Sequence, residues 1–131
     1  MEQKIVVHMK GGAIHKGVTH DFEPDRSTFH LLPAEGGGVP IRIALGEMKA
    51  LFYVKDYLGN RDYVSQRRFE HAQRHGVKVI LTFHDGETLY GTIAEEDEGA
   101  DRFYVYPADE RDNNIRLFVM RNSLKEFQLV P

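Results

Sequence analysis

The sequence predicts a mainly β protein, built as a tandem duplication of a five-stranded small barrel with one connecting helix. The first reason is internal similarity: KIVVHMKGGAIHKGVT, residues 4–19, is similar to KVILTFHDGETLYGTI, residues 78–93. The second reason is that short runs of β-forming residues alternate with turn residues in each copy. We therefore expect a first barrel over residues 1–54, a connector over residues 55–76 and a second barrel over residues 77–131.

One offset of 74 residues keeps the two copies in register from Lys4 and Lys78 onward. It pairs the following residues without a gap: Gly12 with Gly86, Gly17 with Gly91, Phe29 with Phe103, and Ile41-Arg42 with Ile115-Arg116. Beyond that point, two inserted residues are needed to match MKALFYV (48–54) with LKEFQLV (124–130). A register that persists this long is typical of an internal repeat.

Each copy is expected to begin with a β-hairpin. In the second copy apolar residues alternate along the first strand, and Asp85-Gly86 supplies a hairpin turn with positive φ. Gly17 and Gly91 lie within the return strands, where a glycine marks a bend or a close approach of another backbone. The first-strand residues that we expect to be buried in the two cores are Ile5, Val7, Met9, Val79, Leu81 and Phe83.

The other strands are predicted from β-forming runs at matching places: FHLLP, PIRIAL and KALFYV in the first copy, and FYVYP (103–107), NIRLFVM (114–120) and LKEFQLV in the second. One strand of the first copy is out of phase. Its apolar residues Ile14 and Val18 stand one place away from the positions of Leu89 and Ile93. A bulge at Gly11-Gly12 would correct this slip, which otherwise turns the wrong face inward.

The connector is predicted to contain a helix from about Tyr63 to His75, with Asp62 as its N-cap and Gly76 as its C-terminal stop. The helix is locally basic, and its arginines form the first candidate surface for a nucleic acid or another anion. These arginines are Arg67, Arg68 and Arg74. The residues expected to pack on a barrel are Val64, Phe69 and Ala72.

The composition limits the classes of function. Lys and Arg number 17 against 20 Asp and Glu, a formal net charge of -3, so the chain lacks the basic excess that accompanies strong phosphate binding. The absence of cysteine excludes disulfides and thiolate metal sites and suits a reducing cytoplasm. The N-terminal MEQKIVVHMKGG has no apolar stretch long enough for a signal peptide or a membrane span. We therefore expect a cytoplasmic protein without a membrane partner.

Two segments of the second copy resemble the motifs of Sm-like small barrels, the fold of Sm proteins and their bacterial RNA-chaperone relatives. VKVILTFHDGETLYGTI resembles the first motif, with alternating apolar residues, a turn glycine and a second glycine. VMRNSLKEFQLV resembles the second motif, in which an apolar-Arg-Gly-Asn/Ser stretch leads into the last strand. The resemblance implies a role in contacting RNA for Arg121 and Asn122, the only positions that match the RNA-contacting residues.

The whole chain also resembles an uncharacterised bacterial family of unknown function. That family shows a V-x-F-x-D-G-E-x-L-x-G segment and a P-A-D-x-x-x-N-N-x-R-x-F-V segment in its two halves. Val79 to Gly91 and Pro107 to Val119 match them best here. This resemblance covers nearly the whole chain and implies no known activity.

Signs of catalysis or of a cofactor are weak. His71 and His75 have the i, i+4 spacing of helical zinc sites, but Ala72 stands where a zinc hydrolase carries its general-base Glu. A solvated basic helix is the more ordinary interpretation, and whether this pair binds a metal stays open. The sequence contains no G-x-S-x-G, phosphate-cradling loop or Ser/His/Asp arrangement. We therefore predict no catalytic residue, no metal site and no cofactor.

Three classes of function remain. A non-catalytic binding or adaptor module, contacting a protein partner or a second copy of itself, is favoured because a duplicated small barrel offers sheet edges as binding surfaces. A module that binds RNA or another nucleic acid is the alternative, with Tyr104 and Tyr106 as aromatics that could stack on bases. An enzyme is the least favoured. The residues predicted to contact a nucleic acid are Arg67, Arg68, Arg74, Arg121 and Asn122.

Overall fold

The computed structural model describes residues 2–35, 38–59, 69, 76–109 and 111–131. This described part is mainly β, with ten strands in one open antiparallel sheet. The strands are β1 Ile5–Met9, β2 Ile14–Val18, β3 Thr28–Pro33, β4 Ile41–Ala44, β5 Met48–Val54, β6 Val77–Phe83, β7 Thr88–Ile93, β8 Arg102–Pro107, β9 Asn114–Met120 and β10 Leu124–Val130. Short 3₁₀ turns occupy Leu45–Glu47, Glu95–Asp97 and Arg121–Ser123.

The order of the strands across the sheet is β10-β6-β7-β8-β9-β5-β1-β2-β3-β4. We call β1 to β5 the first half and β6 to β10 the second half. In each half the last strand lies beside the first strand, and the fourth strand lies at the far side. The halves are joined by pairing between β5 and β9, which leaves β10 and β4 at the two edges of the described sheet.

The pairing registers of the two halves correspond over their first three strands. Gly17 pairs with Ile5 and Pro33, and Gly91 pairs with Val79 and Pro107, which preserves the offset of 74 residues. An offset of 76 residues already applies in β4, because Phe29 pairs with Ile43 whereas Phe103 pairs with Val119.

The predicted match of Ile41 with Ile115 is therefore wrong, and Ile41 corresponds to Leu117. The two additional residues of the second half lie between Pro107 and Leu117, because nine residues separate that pair whereas seven separate Pro33 from Ile41. An insertion of two residues keeps the alternation of side chains between the two faces of a strand, so Leu117 and Val119 face a core as Ile41 and Ile43 do.

The hairpin turns of the two halves have the same geometry. Gly12 and Gly86 both have positive φ, at 99° and 92°. The pairing of β1 with β2 contains no shift of register from Ile5 to His8, so the correction of phase predicted at Gly11-Gly12 does not occur. Ile14 consequently lies on the same face of the hairpin as His8, and the residue is 54% exposed.

Two hydrophobic cores lie on opposite faces of β5 and β9. Leu51 and Phe118 belong to the first core, whereas Phe52 and Leu117 belong to the second. All seven residues of β5 are buried, because this strand has a core on each face. Of the six first-strand residues predicted to be buried, Met9 is half-buried and five are buried: Ile5, Val7, Val79, Leu81 and Phe83.

The predicted helix from Tyr63 to His75 lies outside the described residues, apart from Phe69. The ring of Phe69 lies 5.5 Å from the ring of Tyr90, so this residue packs on the outer face of β7. Within the described ranges, no helix has the length and apolar character needed to cross a membrane.

Gly17 and Gly91 are required because neighbouring backbone lies where a side chain would begin. A Cβ atom at Gly91 would lie 2.6 Å from the carbonyl oxygen of Tyr106, and one at Gly17 would overlap the carbonyl oxygen of Leu32. We predict that Gly17→Val and Gly91→Val each lower the free energy of unfolding by about 1 to 3 kcal/mol, the typical cost of overpacking.

Urea unfolding followed by circular dichroism measures this loss. Gly46→Ala is the matched control, because a Cβ atom there meets nothing within 4 Å. If both valine variants kept the midpoint of the unmodified chain, the close approach between these strands would be refuted.

Candidate functional site

Three neighbouring openings in the described surface are all lined by Ile14. The junction pocket, about 420 Å³, lies between His8 of the first half and Phe83 and Asp85 of the second. The edge pocket, about 380 Å³, lies over Leu31 and Ile41 of the first half. The turn pocket, about 320 Å³, is bounded by Phe52, Tyr57 and Leu58.

The β1–β2 hairpin accounts for the position of these openings. Val6 pairs with Lys16 and His8 pairs with Ile14, so these four side chains share one face of the hairpin. That face is turned toward the second half, because Val6 belongs to the second core. His8 and Ile14 extend beyond that core and leave open space between the hairpin and the second half.

Lys49 lies at the wall of the junction pocket and joins the two halves. Its side chain comes from β5, where the register with β1 shifts by one residue, and the residue is only 7% exposed. Its ammonium Nζ contacts Asp85 Oδ2 at 2.6 Å and Glu87 Oε2 at 3.2 Å. The same Nζ lies 4.5 Å from the centre of the Phe83 ring. A buried ammonium needs such partners because desolvation without them is costly.

Two titrating groups in the junction pocket have shifted pKa values. The hydrogen bond from Lys49, followed by the backbone N–H of Glu87, lowers the pKa of Asp85. Burial, followed by the nearby charge of Lys49, lowers the pKa of His8. This shift favours the neutral imidazole, whose ring centre lies 4.5 Å from that of Phe52. The pocket thus offers an uncharged hydrogen-bonding ring beside a paired ammonium.

The predicted RNA-contacting residue Arg121 makes contacts within the chain. Its guanidinium donates to the carbonyl oxygens of Glu98 at 2.8 Å and Ala100 at 3.3 Å. It also lies 4.2 Å from the centre of the Phe127 ring. These contacts fix the loop between β7 and β8. Asn122, the other residue from that motif, is exposed and lines the junction pocket.

The remaining predicted nucleic-acid residues are not brought to this site by the described structure. Arg67, Arg68 and Arg74 lie outside the described residues, as do His71 and His75. Tyr104 packs within the chain, because its ring lies 5.0 Å from Phe118 and 4.3 Å from the guanidinium of Arg116. Over the described ranges, no group of three or more His, Asp or Glu side chains could hold a metal ion.

Sequence reasoning missed three residues of these openings: His8, Lys49 and Ile14. A signal existed for two of them. Lys49 is the charged residue in the otherwise apolar run MKALFYV, and Ile14 breaks the phase of its strand. His8 carried no such signal, because its neighbours depend on the pairing of β1 with β5.

The chain belongs to a family of unknown function, DUF6982, which matches residues 1–131. This match agrees with the expected resemblance to an uncharacterised family. No curated protein matches the chain, and no solved structure matches it.

We predict that the Asp85 contact with Lys49 makes the stability of the fold depend on pH. Because the pKa of Asp85 is lower in the folded chain, its contribution is complete above its unfolded pKa of about 4 and is lost as the pH falls further. The free energy of unfolding of the unmodified chain should therefore exceed that of Asp85→Asn at pH 7. This difference should shrink between about pH 4 and pH 2.

Chemical unfolding of both chains across this pH range measures the difference. Asp101→Asn is a control, because the side chain of Asp101 is 86% exposed and is not a partner of Lys49. A difference that stays constant down to pH 2 would show that the contact does not depend on the charge of Asp85.

Proposed function

We propose that this chain is a non-catalytic binding or adaptor module for protein partners, built from two Sm-like small barrels that share β5 and β9. The duplication is supported by the equivalent registers of the two halves, which keep Gly17 and Gly91 at matching places. It is also supported by the matching 3₁₀ turns before β5 and β10. We place the module in the cytoplasm, in agreement with the absence of cysteine from the sequence.

The observation that carries this proposal is the exposed apolar surface at the three openings. Ile14 is 54% exposed and Leu58 is 74% exposed, and both line the edge pocket and the turn pocket. Large apolar side chains that surround a concave surface are typical of sites for another molecule. The neighbouring walls contribute Tyr57 and Pro33, which are also suited to apolar contacts.

A protein ligand fits this surface better than a nucleic acid does. The ammonium of Lys49 is paired with two carboxylates, which reduces its attraction for phosphate. The guanidinium of Arg121 is held by two backbone carbonyl groups. The formal charge of -3 also disfavours a general affinity for phosphate.

The proposed function is tested by comparing two substitutions of exposed apolar residues, one that lines the openings and one that does not. We predict that Ile14→Lys abolishes capture of protein partners by the tagged chain, because a charged residue then stands at all three openings. Ile115→Lys is the matched control, because Ile115 is 37% exposed and lines none of these three openings. The partners are compared by mass spectrometry after capture from cells.

Both variants should keep the unfolding midpoint of the unmodified chain, since both side chains are exposed. Partners that persist with Ile14→Lys, or disappear equally with both variants, would refute the assignment of binding to these openings.

Nucleic-acid binding is the second candidate, favoured by Lys10 and Asn122, which both line the junction pocket. We predict no measurable binding of single-stranded RNA in titrations at low and at physiological salt. A Kd that rises steeply with salt would establish RNA binding instead. Loss of that binding in a triple change of Arg67, Arg68 and Arg74 to Gln would assign it to the connector, and loss in Asn122→Ala would assign it to the junction pocket.

A further inference from the structure

Strand β4 is an edge strand whose outward hydrogen-bonding groups can be identified. The N–H of Leu45 donates to the carbonyl of Ser27 at 2.9 Å, on the side of β3. Because N–H directions alternate along an antiparallel strand, the N–H of Ile43 also faces β3. The N–H groups of Arg42 and Ala44 therefore point away from β3, where the described sheet has no further strand.

The corresponding strand of the second half, β9, has β5 on that side. Ala50 lies opposite Val119, and Phe52 lies opposite Leu117. All four of these side chains belong to the second core. Strand β5 of the first half thus completes the second core with a small apolar residue, Ala50, and a large one, Phe52.

The first core receives no such strand within the described sheet. Its residues Ile43 and Ile41 correspond to Val119 and Leu117 of β9. Ile43 is buried, but Ile41 is only half-buried and lines the edge pocket together with Leu31. In the second half, Leu117 lies opposite Phe52 of the added strand. Ile41 is the residue that corresponds to Leu117, and it lines the edge pocket of about 380 Å³.

We propose that the outer edge of β4 accepts an extended segment of a different protein as an additional antiparallel strand. The segment places a small apolar residue opposite Ile43 and a large apolar residue opposite Ile41, where the large side chain fills the edge pocket. Backbone hydrogen bonds to an exposed strand edge supply affinity, and the alternating side chains supply specificity. This proposal rests on the proposed function as a protein-binding module and assigns it a site and a ligand pattern.

The residues of β10 disfavour a second copy of this chain as the added strand. By the registers with β6 and β1, Glu126 and Gln128 of β10 correspond to Ala50 and Phe52 of β5. A second copy joined in the same way would bring the carboxylate of Glu126 against the first core. Burying an unpaired carboxylate is strongly unfavourable.

The residue between the small and the large side chain lies opposite Arg42. Arg42 is exposed, whereas Phe118, which stands at the corresponding place in β9, is buried. An acidic residue at the intervening position of the ligand would be favoured there, because opposite charges on directly opposed strand residues attract. The inferred ligand pattern is therefore small, acidic, large.

The test uses a labelled peptide that copies the strand already accepted by β9, residues 47–56, EMKALFYVKD. A control peptide carries Ala50→Glu and Phe52→Gln, which copy β10. We predict that the first peptide binds the unmodified chain at least tenfold more tightly than the control peptide, measured by fluorescence anisotropy. A further peptide with Leu51→Glu should bind more tightly than the first, and this gain should disappear with Arg42→Ala.

Amide hydrogen exchange measured by NMR locates the bound peptide. Exchange at Arg42 and Ala44 should slow at least tenfold on binding, whereas Ile43 already donates to β3 and should change less. Arg42→Pro removes one outward N–H and should weaken binding at least tenfold. The exchange measurement uses the unmodified chain, so it decides the proposal even if Arg42→Pro does not fold.

Three results would overturn the proposal. The amides of Arg42 and Ala44 could already be as protected as that of Ile43 in the free chain. The two peptides could bind equally, or protect only residues outside β4. Sedimentation could show a concentration-dependent dimer that the first peptide dissociates, which would assign the edge to a second copy. If the first peptide does not bind but the capture of protein partners still depends on Ile14, the proposed site at the edge of β4 is refuted and the proposed function is retained.

Discussion

The pairing of β5 with β9 is the constraint on which the rest of the structure depends. Each of these strands has a hydrophobic core on both faces, so neither half can be removed without exposing the other's core. Phe118 of the second half lies in the first core, and Phe52 of the first half lies in the second core. Because burial of an aromatic side chain contributes roughly 1.5 to 3 kcal/mol, this exchange couples the stability of the two halves.

This double burial explains the environment of Lys49. Lys49 is a charged residue in a strand that has no face toward solvent, so its ammonium needs partners from another part of the chain. Asp85 and Glu87, at the β6–β7 turn, are those partners. The hydroxyl of Ser123 donates within the same region, where it lies 3.0 Å from the carbonyl of Lys49. An incorrect register between the two halves would separate Lys49 from these carboxylates and leave its ammonium buried without a partner. Such a register would be strongly destabilised.

The sequence was sufficient for the local elements and insufficient for the contact between the halves. Hairpins depend on alternation and a turn glycine, which neighbouring residues display, and Gly12 and Gly86 lie where the pattern places them. Pairing between β5 and β9 joins residues 60 to 69 positions apart and leaves no local period in the sequence. One signal was nevertheless present. MKALFYV is continuously apolar around its lysine, as a strand buried on both faces is, whereas LKEFQLV contains three polar residues.

The differences between equivalent strands explain the two edges of the sheet more fully than their similarity does. Lys125, Glu126 and Gln128 are exposed on β10, and polar residues on an edge strand oppose pairing with a further chain. On β4 the corresponding protection is weaker, since Arg42 is the charged residue of that strand. An exposed arginine disfavours apolar neighbours but favours an acidic one. The two edges therefore differ in kind: β10 discourages association, whereas β4 discriminates among strands by charge and by the size of the side chain opposite Ile41.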